Sequence, residues 1–342
     1  MRRIVLSLLG AWLCLTLTAG AAVAGDDPCP EPNDATQAAC YLGDADALGF
    51  LSRANDVDAY RIDVLDFGAR LRVALVDTSP GYRITLVNWN GDIMAVSNRQ
   101  GAVDVLEATP PAPGAYFALV DSRTGEFSDG RPYRLHREVA YRGQPPVVVF
   151  SGDFRPGARE NLTESGENAD FITDSGRVTI KMKQSGTPED GSPTPGLIMD
   201  PEVPPVGDFT LVVDTKLKDG DQGGYLIFFK VAADYATNDD HDHYRLVVAP
   251  RDHAMKLVRI ANGVDEILED GIEDELITAD KVNRMVIRCS GSDIRLNVNG
   301  KELARVKDDV LREGRVGFGT ITWGDPSTVV FDNLLVVTPA RR

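Results

Sequence analysis

Three Asn-Gly pairs, Asn90-Gly91, Asn262-Gly263 and Asn299-Gly300, each sit between runs of alternating apolar and polar residues. Asn-Gly tolerates the left-handed backbone of a tight hairpin turn better than almost any other dipeptide, so each pair is expected to join two antiparallel strands. The runs around the first pair share this character. Tyr60-Arg61-Ile62-Asp63-Val64 and Leu71-Arg72-Val73-Ala74-Leu75 alternate, and Tyr116 to Val120 follows Pro113-Gly114. Tyr133-Arg134-Leu135-His136 closes the series. Across residues 28–140 no ten-residue stretch has helical periodicity, and a β-sandwich is the economical reading.

A polar, proline-bearing stretch containing Gly143-Gln144-Pro145-Pro146 follows, and strand signals then resume. They include Val178 to Met182, Phe209 to Val213, Tyr225 to Phe229 and Tyr244 to Val248, with hairpins at the other two Asn-Gly pairs. Nearly two hundred residues of paired strands imply two large sheets. The sequence is therefore read as all-β, with two β-sandwich domains. The first covers 26–140, a linker 141–146, and the second, a larger jelly roll, 147–338.

Residues 1–24 are set apart from this fold. Arg2-Arg3, an apolar core from Ile4 to Leu17 and Ala22-Val23-Ala24 read as a signal peptide with its cleavage site, too short for a membrane span. The expected location is secreted, either periplasmic or extracellular. The formal charge of −16 becomes about −18 once Arg2 and Arg3 are removed. Such an excess repels phosphate backbones and anionic lipid, which makes nucleic acid and membranes poor partners. Oligomeric state is not legible.

Cys29, Cys40 and Cys289 remain after processing. In an oxidising compartment Cys29 and Cys40 are close enough to pair, and a bridge across that short loop contributes about 2–3 kcal/mol. Two unpaired cysteines in a ragged N-terminus are the alternative. Cys289, in the alternating run Met285 to Cys289, reads as a buried free thiol.

Within that cysteine loop lie Glu31, Asn33 and Asp34, followed some twenty residues on by Asp56 and Asp58. Carboxylates and a side-chain amide are the oxygen donors that Ca²⁺ prefers. Asn33-Asp34 and Asn55-Asp56 also have the makings of ordinary Asx turns. The pairing of Glu31-Pro32-Asn33-Asp34 with Asn55-Asp56-Val57-Asp58-Ala59-Tyr60 resembles the opening of the bacterial pre-peptidase C-terminal domain, a small secreted β-sandwich. Asn88-Trp89-Asn90-Gly91, Pro113-Gly114-Ala115-Tyr116-Phe117 and Tyr133 extend the resemblance over about 110 residues. Asp66-Phe67-Gly68 departs from the family at the turn after the first long strand. The resemblance implies a structural calcium ion between the N-terminal segment and the later acidic loop, on these five residues.

In the second domain, Asn283 to Ile287, Leu296-Asn297-Val298-Asn299-Gly300, Gly314-Arg315-Val316-Gly317 and Phe331-Asp332-Asn333 follow one another. That order resembles the concanavalin-like, laminin-G-like sandwiches, among them the group of the 3-keto-disaccharide hydrolase domain. It implies architecture rather than activity. Asp153 and Asp332, near the two ends of this domain, are second metal candidates. Asp219-Gly220-Asp221 starts like an EF-hand loop but has Lys230 where a bidentate glutamate is required, and is read as a turn. Tyr235, His241, His243 and Trp323 are the residues best suited to line a ligand face. No nucleophile elbow, no zinc helix and no carboxylate pair at glycosidase spacing on one strand is present. These observations point to a non-catalytic binding protein for carbohydrate or an extracellular matrix polymer, with calcium as a structural cofactor. A glycoside-processing hydrolase, with its active site on the concave face of the second domain, is the alternative.

Overall fold

The structure, a computed structural model, describes residue 29 and residues 31–76, 81–128, 130–152, 162–165, 169–174, 176–183, 196–199, 203–232 and 242–340. The expected signal peptide lies outside them. Among the described residues, no helix is long and apolar enough to cross a membrane.

The chain is almost entirely β. Strands β1 (Cys40–Tyr41), β2 (Ala47–Gly49), β3 (Val57–Val64), β4 (Arg70–Val76) and β5 (Tyr82–Val87) come first. They are followed by β6 (Ile93–Val96), β7 (Asn98–Gln100), β8 (Val103–Ala108), β9 (Gly114–Ser122) and β10 (Tyr133–Ala140). These form two five-stranded sheets, β1-β3-β9-β5-β6 and β2-β10-β4-β8-β7. Their inward residues, among them Ile62, Val64, Val73, Leu75, Ile84, Leu86, Tyr116 and Leu135, make one core.

The next strands are β11 (Val147–Gly152), β12 (Leu162–Ser165), β13 (Ala169–Asp174), β14 (Arg177–Met182) and β15 (Gly196–Met199). After them run β16 (Phe209–Asp219), β17 (Gly223–Val231), β18 (His243–Ala249), β19 (Ala254–Ala261) and β20 (Val264–Glu273). β21 (Asn283–Ser290), β22 (Asp293–Val298), β23 (Lys301–Lys307), β24 (Arg315–Thr322) and β25 (Thr328–Thr338) complete the chain. An eight-stranded sheet, β13-β14-β25-β16-β21-β22-β23 with β11 beside β25, faces a seven-stranded one, β12-β15-β24-β17-β18-β19-β20. Leu211, Val213, Tyr225, Ile227, Phe229, Leu246, Ile287, Leu296, Phe318 and Phe331 fill the space between them.

Two Asn-Gly pairs form the expected tight turns, with positive φ at Asn262 and Gly263 (52° and 71°) and at Asn299 and Gly300 (51° and 90°). The third joins β5 to β6 differently. Asn88 closes the loop with its side chain, its Oδ1 accepting from Asn90 N and Asp92 N at 2.9 Å each. The Asn90 side chain is committed elsewhere. Its Nδ2 donates to Val282 O (3.1 Å) and its Oδ1 accepts from Val282 N (3.0 Å), tying the first sandwich to the second.

That pair borders a larger junction. On one side of it, Ala112 packs on Val212, Val286, Leu335 and Val337, with Leu65 and Phe67 against the same patch. At its centre Arg284, from β21, is fully buried. Its Nε and Nη2 clasp the Asp214 carboxylate at 2.7 Å each, and Nη2 also donates to Ala115 O at 2.9 Å. The guanidinium lies 4.1 Å from the Trp89 ring centre and 5.2 Å from that of Tyr116. Gly114 leaves room for it: a Cβ there would sit 2.7 Å from the guanidinium. Burying an ion pair is costly, and here hydrogen bonds and two aromatic faces from the other sandwich offset the cost.

Candidate metal centre

The site is assembled where the N-terminal segment lies against the start of β3. The Cys29–Cys40 disulfide forms as expected, and Cys289 is a buried free thiol whose pKa burial pushes up to about 12. Inside the disulfide loop Asn33 is buried, and its Nδ2 donates to Cys29 O at 2.8 Å. Ala59 N donates to Asn33 O at 3.1 Å, which registers the segment on β3. Glu31 Oε2 accepts from Asn33 N at 3.1 Å. Asp34 Oδ1 accepts from Val57 N at 3.3 Å.

Asp56 and Asp58 alternate with Val57 at the head of β3, and both are buried. Asp56 Oδ2 caps the preceding turn by accepting from Ser52 N. Asp58 Oδ2 accepts from the Tyr133 hydroxyl, which lies 2.9 Å from that of Tyr60. Each aspartate thus has one oxygen committed. Their other oxygens, Asp56 Oδ1 and Asp58 Oδ1, are buried without a hydrogen-bond partner, as is Asn33 Oδ1.

Glu31, Asp34 and Asp56 each place a carboxylate oxygen within 4.8 Å of the others. Among the described residues, the cation paired with these acids is Arg53, half exposed, with Nη2 2.5 Å from Asp34 Oδ2 and 3.5 Å from Asp56 Oδ1. Burial raises the pKa of Asp58 to about 7, with Asp56 and Glu31 adding repulsion, against the hydrogen bond from Tyr133 and the nearby Asn33 amide. Glu31 is raised as well, first by burial and then by the charges of Asp56 and Asp34, against the backbone hydrogen bond from Asn33. The donor set is all oxygen, carboxylate-rich and short of positive charge. A hard divalent cation fits such a set, and the orphaned buried oxygens are what it would satisfy.

The structure thus brings three of the sequence-derived candidates, Glu31, Asp34 and Asp56, within ligating reach of one another, with Asn33 and Asp58 in the same two segments but outside that group. Sequence reasoning missed the supporting groups: Ser52 N, Arg53 and the Tyr60–Tyr133 hydroxyl pair. Tyr133 is 75 residues from Asp58, and no local pattern connects them. The other candidates separate. Asp153, Tyr235 and His241 lie outside the described residues. Asp332 does not stand open as a ligand, because Arg177 Nε donates to its Oδ2 at 3.1 Å. His243 is 8% exposed, its ring edge-on to Phe228 at 5.5 Å, so it does not present itself to solvent. Trp323 is 42% exposed. Asp219 to Gly223 is the turn between β16 and β17.

No protein-family model matches this chain, and no curated protein matches it. Solved structures do. The carbohydrate-binding module CBM66 from Bacillus subtilis is 18% identical, with 52% of this chain and 96% of that one covered and a TM-score of 0.39. A protein of unknown function with a galectin-like fold from Bacillus subtilis is 15% identical over 57% of this chain and 98% of that one, with a TM-score of 0.45. The kappa-carrageenase from Pseudoalteromonas carrageenovora is 8% identical over 59% and 98%, with a TM-score of 0.44.

Proposed function

We propose that this chain is an exported, non-catalytic binding protein for carbohydrate or another extracellular polymer, with its first sandwich fixed by a structural Ca²⁺. One observation carries the calcium reading. Asn33 Oδ1, Asp56 Oδ1 and Asp58 Oδ1 are each buried without a hydrogen-bond partner, and Asp56 stands within 4.8 Å of the carboxylates of Glu31 and Asp34. Leaving such groups unsatisfied costs about 1–3 kcal/mol each, and a cation removes that cost while neutralising the repulsion. Asn33 and Asp34 would hold the ion from the N-terminal segment, Asp56 from the turn before β3 and Asp58 from β3, so the ion would clamp that segment on the sheet.

The pre-peptidase-like identity of residues 26–140, the division at 141–146 and secretion through the general export route belong to the same reading. A binding role is supported by how three buried or half-buried acids of the second sandwich are used. Asp214 bonds to Arg284, Asp308 to Arg259 and Tyr244, and Asp332 to Arg177. Each is held by an arginine, which leaves it poorly placed to act as the acid or base of a hydrolase. The test is an array of polysaccharides and matrix polymers probed with and without Ca²⁺. Binding without release of reducing ends supports the proposal, and turnover of any bound glycan overturns it in favour of a hydrolase.

A further inference from the structure

Two of the three Asn-Gly pairs are locked by the fold, and the third is not. In this dipeptide the glycine nitrogen can attack the preceding side-chain amide, because glycine has no Cβ to crowd the approach. The attack needs an amide free to swing round and a glycine N–H free of other partners.

Asn90 meets neither condition. Val282 holds both ends of its amide, at 3.1 and 3.0 Å, and Gly91 N donates to Asn88 O at 3.0 Å. Asn299 is held as firmly. Its Oδ1 accepts from Arg284 N at 2.9 Å, and its Nδ2 donates to Leu276 O at 2.8 Å. Gly300 is crowded as well, since a Cβ there would lie 2.9 Å from that of Pro111.

Asn262 differs on each count. It is exposed at the tip of the β19–β20 hairpin. Its backbone N–H donates to Asp242 Oδ1 at 2.8 Å, and its side-chain amide has no hydrogen-bond partner among the described residues. Ala261 and Val264 close the ladder around a two-residue turn with positive φ at both central residues, which leaves the Gly263 N–H outside the ladder. A Cβ on Gly263 would meet nothing within 4 Å, so water, which the reaction consumes, has access.

We infer that Asn262 is a site of spontaneous deamidation and backbone isomerisation, selected by the fold over Asn90 and Asn299. The Gly263 nitrogen bonds to Asn262 Cγ, and the amide nitrogen leaves as ammonia, giving a cyclic imide. Water then opens the ring. Cleavage of the new bond leaves aspartate. Cleavage of the original peptide bond leaves isoaspartate, whose main chain runs through Cβ and Cγ. The balance is one amide and one water to one carboxylic acid and one ammonia, with no change of oxidation state. Isoaspartate lengthens the turn by one backbone atom, and a new carboxylate arrives beside Asp242. β20 ends its sheet and pairs with β19 alone among the described strands, so the half nearest the turn, Val264 to Ile267, loses its register first.

The inference is independent of what the chain binds. Its test holds the full mature chain at mildly alkaline pH, both folded and in urea, and maps the three Asn-Gly peptides by mass, with isoaspartate identified by electron-transfer fragmentation. Hydrogen bonds that must open first slow the step, so the folded protein should convert Asn262 about tenfold or more faster than Asn90 or Asn299. In urea the three rates should converge. Hydrogen exchange should rise at Val264 to Ile267 in the aged folded chain and not in equally aged Asn262→Gln, whose longer side chain cyclises far more slowly. Equal rates at the three sites in the folded chain, faster conversion at Asn90 or Asn299, or an intact Asn262 in folded protein while the unfolded chain reacts would each overturn the site. Unchanged exchange in the aged parent chain would overturn its effect on β20.

Discussion

Arg284 shows most clearly how one residue decides an arrangement. Removing it strands the Asp214 carboxylate in the junction, and breaking a buried pair from one side typically costs about 3–5 kcal/mol. Arg284→Met should therefore lower unfolding stability in urea by that amount, and a loss below about 1 kcal/mol would show that the junction does not depend on it. Gly114→Ala should be costly for the same reason, since its new methyl would meet the guanidinium. Asp332 supplies the pH dependence. Burial and the neighbouring Asp214 raise its pKa to about 6 against the pull of Arg177. The folded state therefore holds this proton more tightly than the unfolded chain does. Its contribution to stability is full below about pH 4 and is lost as pH rises through about 6. Asp332→Asn should flatten that part of the stability curve measured in chelator. The grouping of Glu31 and Asp34 with Asp56 was legible because they lie in two short segments that pair with each other. Arg284 was not: Asn283-Arg284-Met285-Val286-Ile287 shows a strand, and nothing local marks its arginine as the one facing another domain rather than water. Arg61 is similar, an arginine in an alternating strand that reads as solvent-facing and is buried by the second sandwich.

At the scale of elements, the hairpins and alternating runs mark most of the strands, since turn chemistry and period-two alternation are local. The β5–β6 loop is the instructive exception. Its Asn-Gly pair signals a tight turn, but Asn90 is recruited to bond Val282, and Asn88 takes over the closing of the loop. Short strands with little alternation, such as β1, β7 and β12, are defined by what they pair with and not by their own residues. The N-terminal segment before β1 depends on three ties: the disulfide, Asn33 on β3 and the acidic cluster. Cys29→Ser with Cys40→Ser should cost about 2–3 kcal/mol by freeing the loop. It should also weaken Ca²⁺ binding, because Glu31, Asn33 and Asp34 lose the constraint that holds them near Asp56. Urea unfolding of the double variant checks the first and calorimetric titration with Ca²⁺ the second, and an unchanged Ca²⁺ affinity would place the ion outside the segment.

The molecule as a whole consists of two sandwiches joined by a short connection and by a buried junction. Residues 114–116, with Trp89 and Asn90, reach across to β21, and an apolar patch flanks the contact. The linker residues suggest two units, and only the buried junction indicates that they act as one. A single cooperative melting transition is accordingly expected, with Arg284→Met splitting it into two. The central claim is that this structure is completed by calcium on Glu31, Asn33, Asp34, Asp56 and Asp58. At a Ca²⁺ concentration near one hundred times its dissociation constant the ion adds about 2.7 kcal/mol, or about 4 °C for a cooperative unit of this size. The most direct measurement is the melting of the full mature chain in Ca²⁺ and in chelator, with Asp56→Asn alongside. Chelator should lower the melting temperature by several degrees in the parent chain and not in Asp56→Asn. Coincident curves in the parent chain, with no calcium found by elemental analysis, would contradict it.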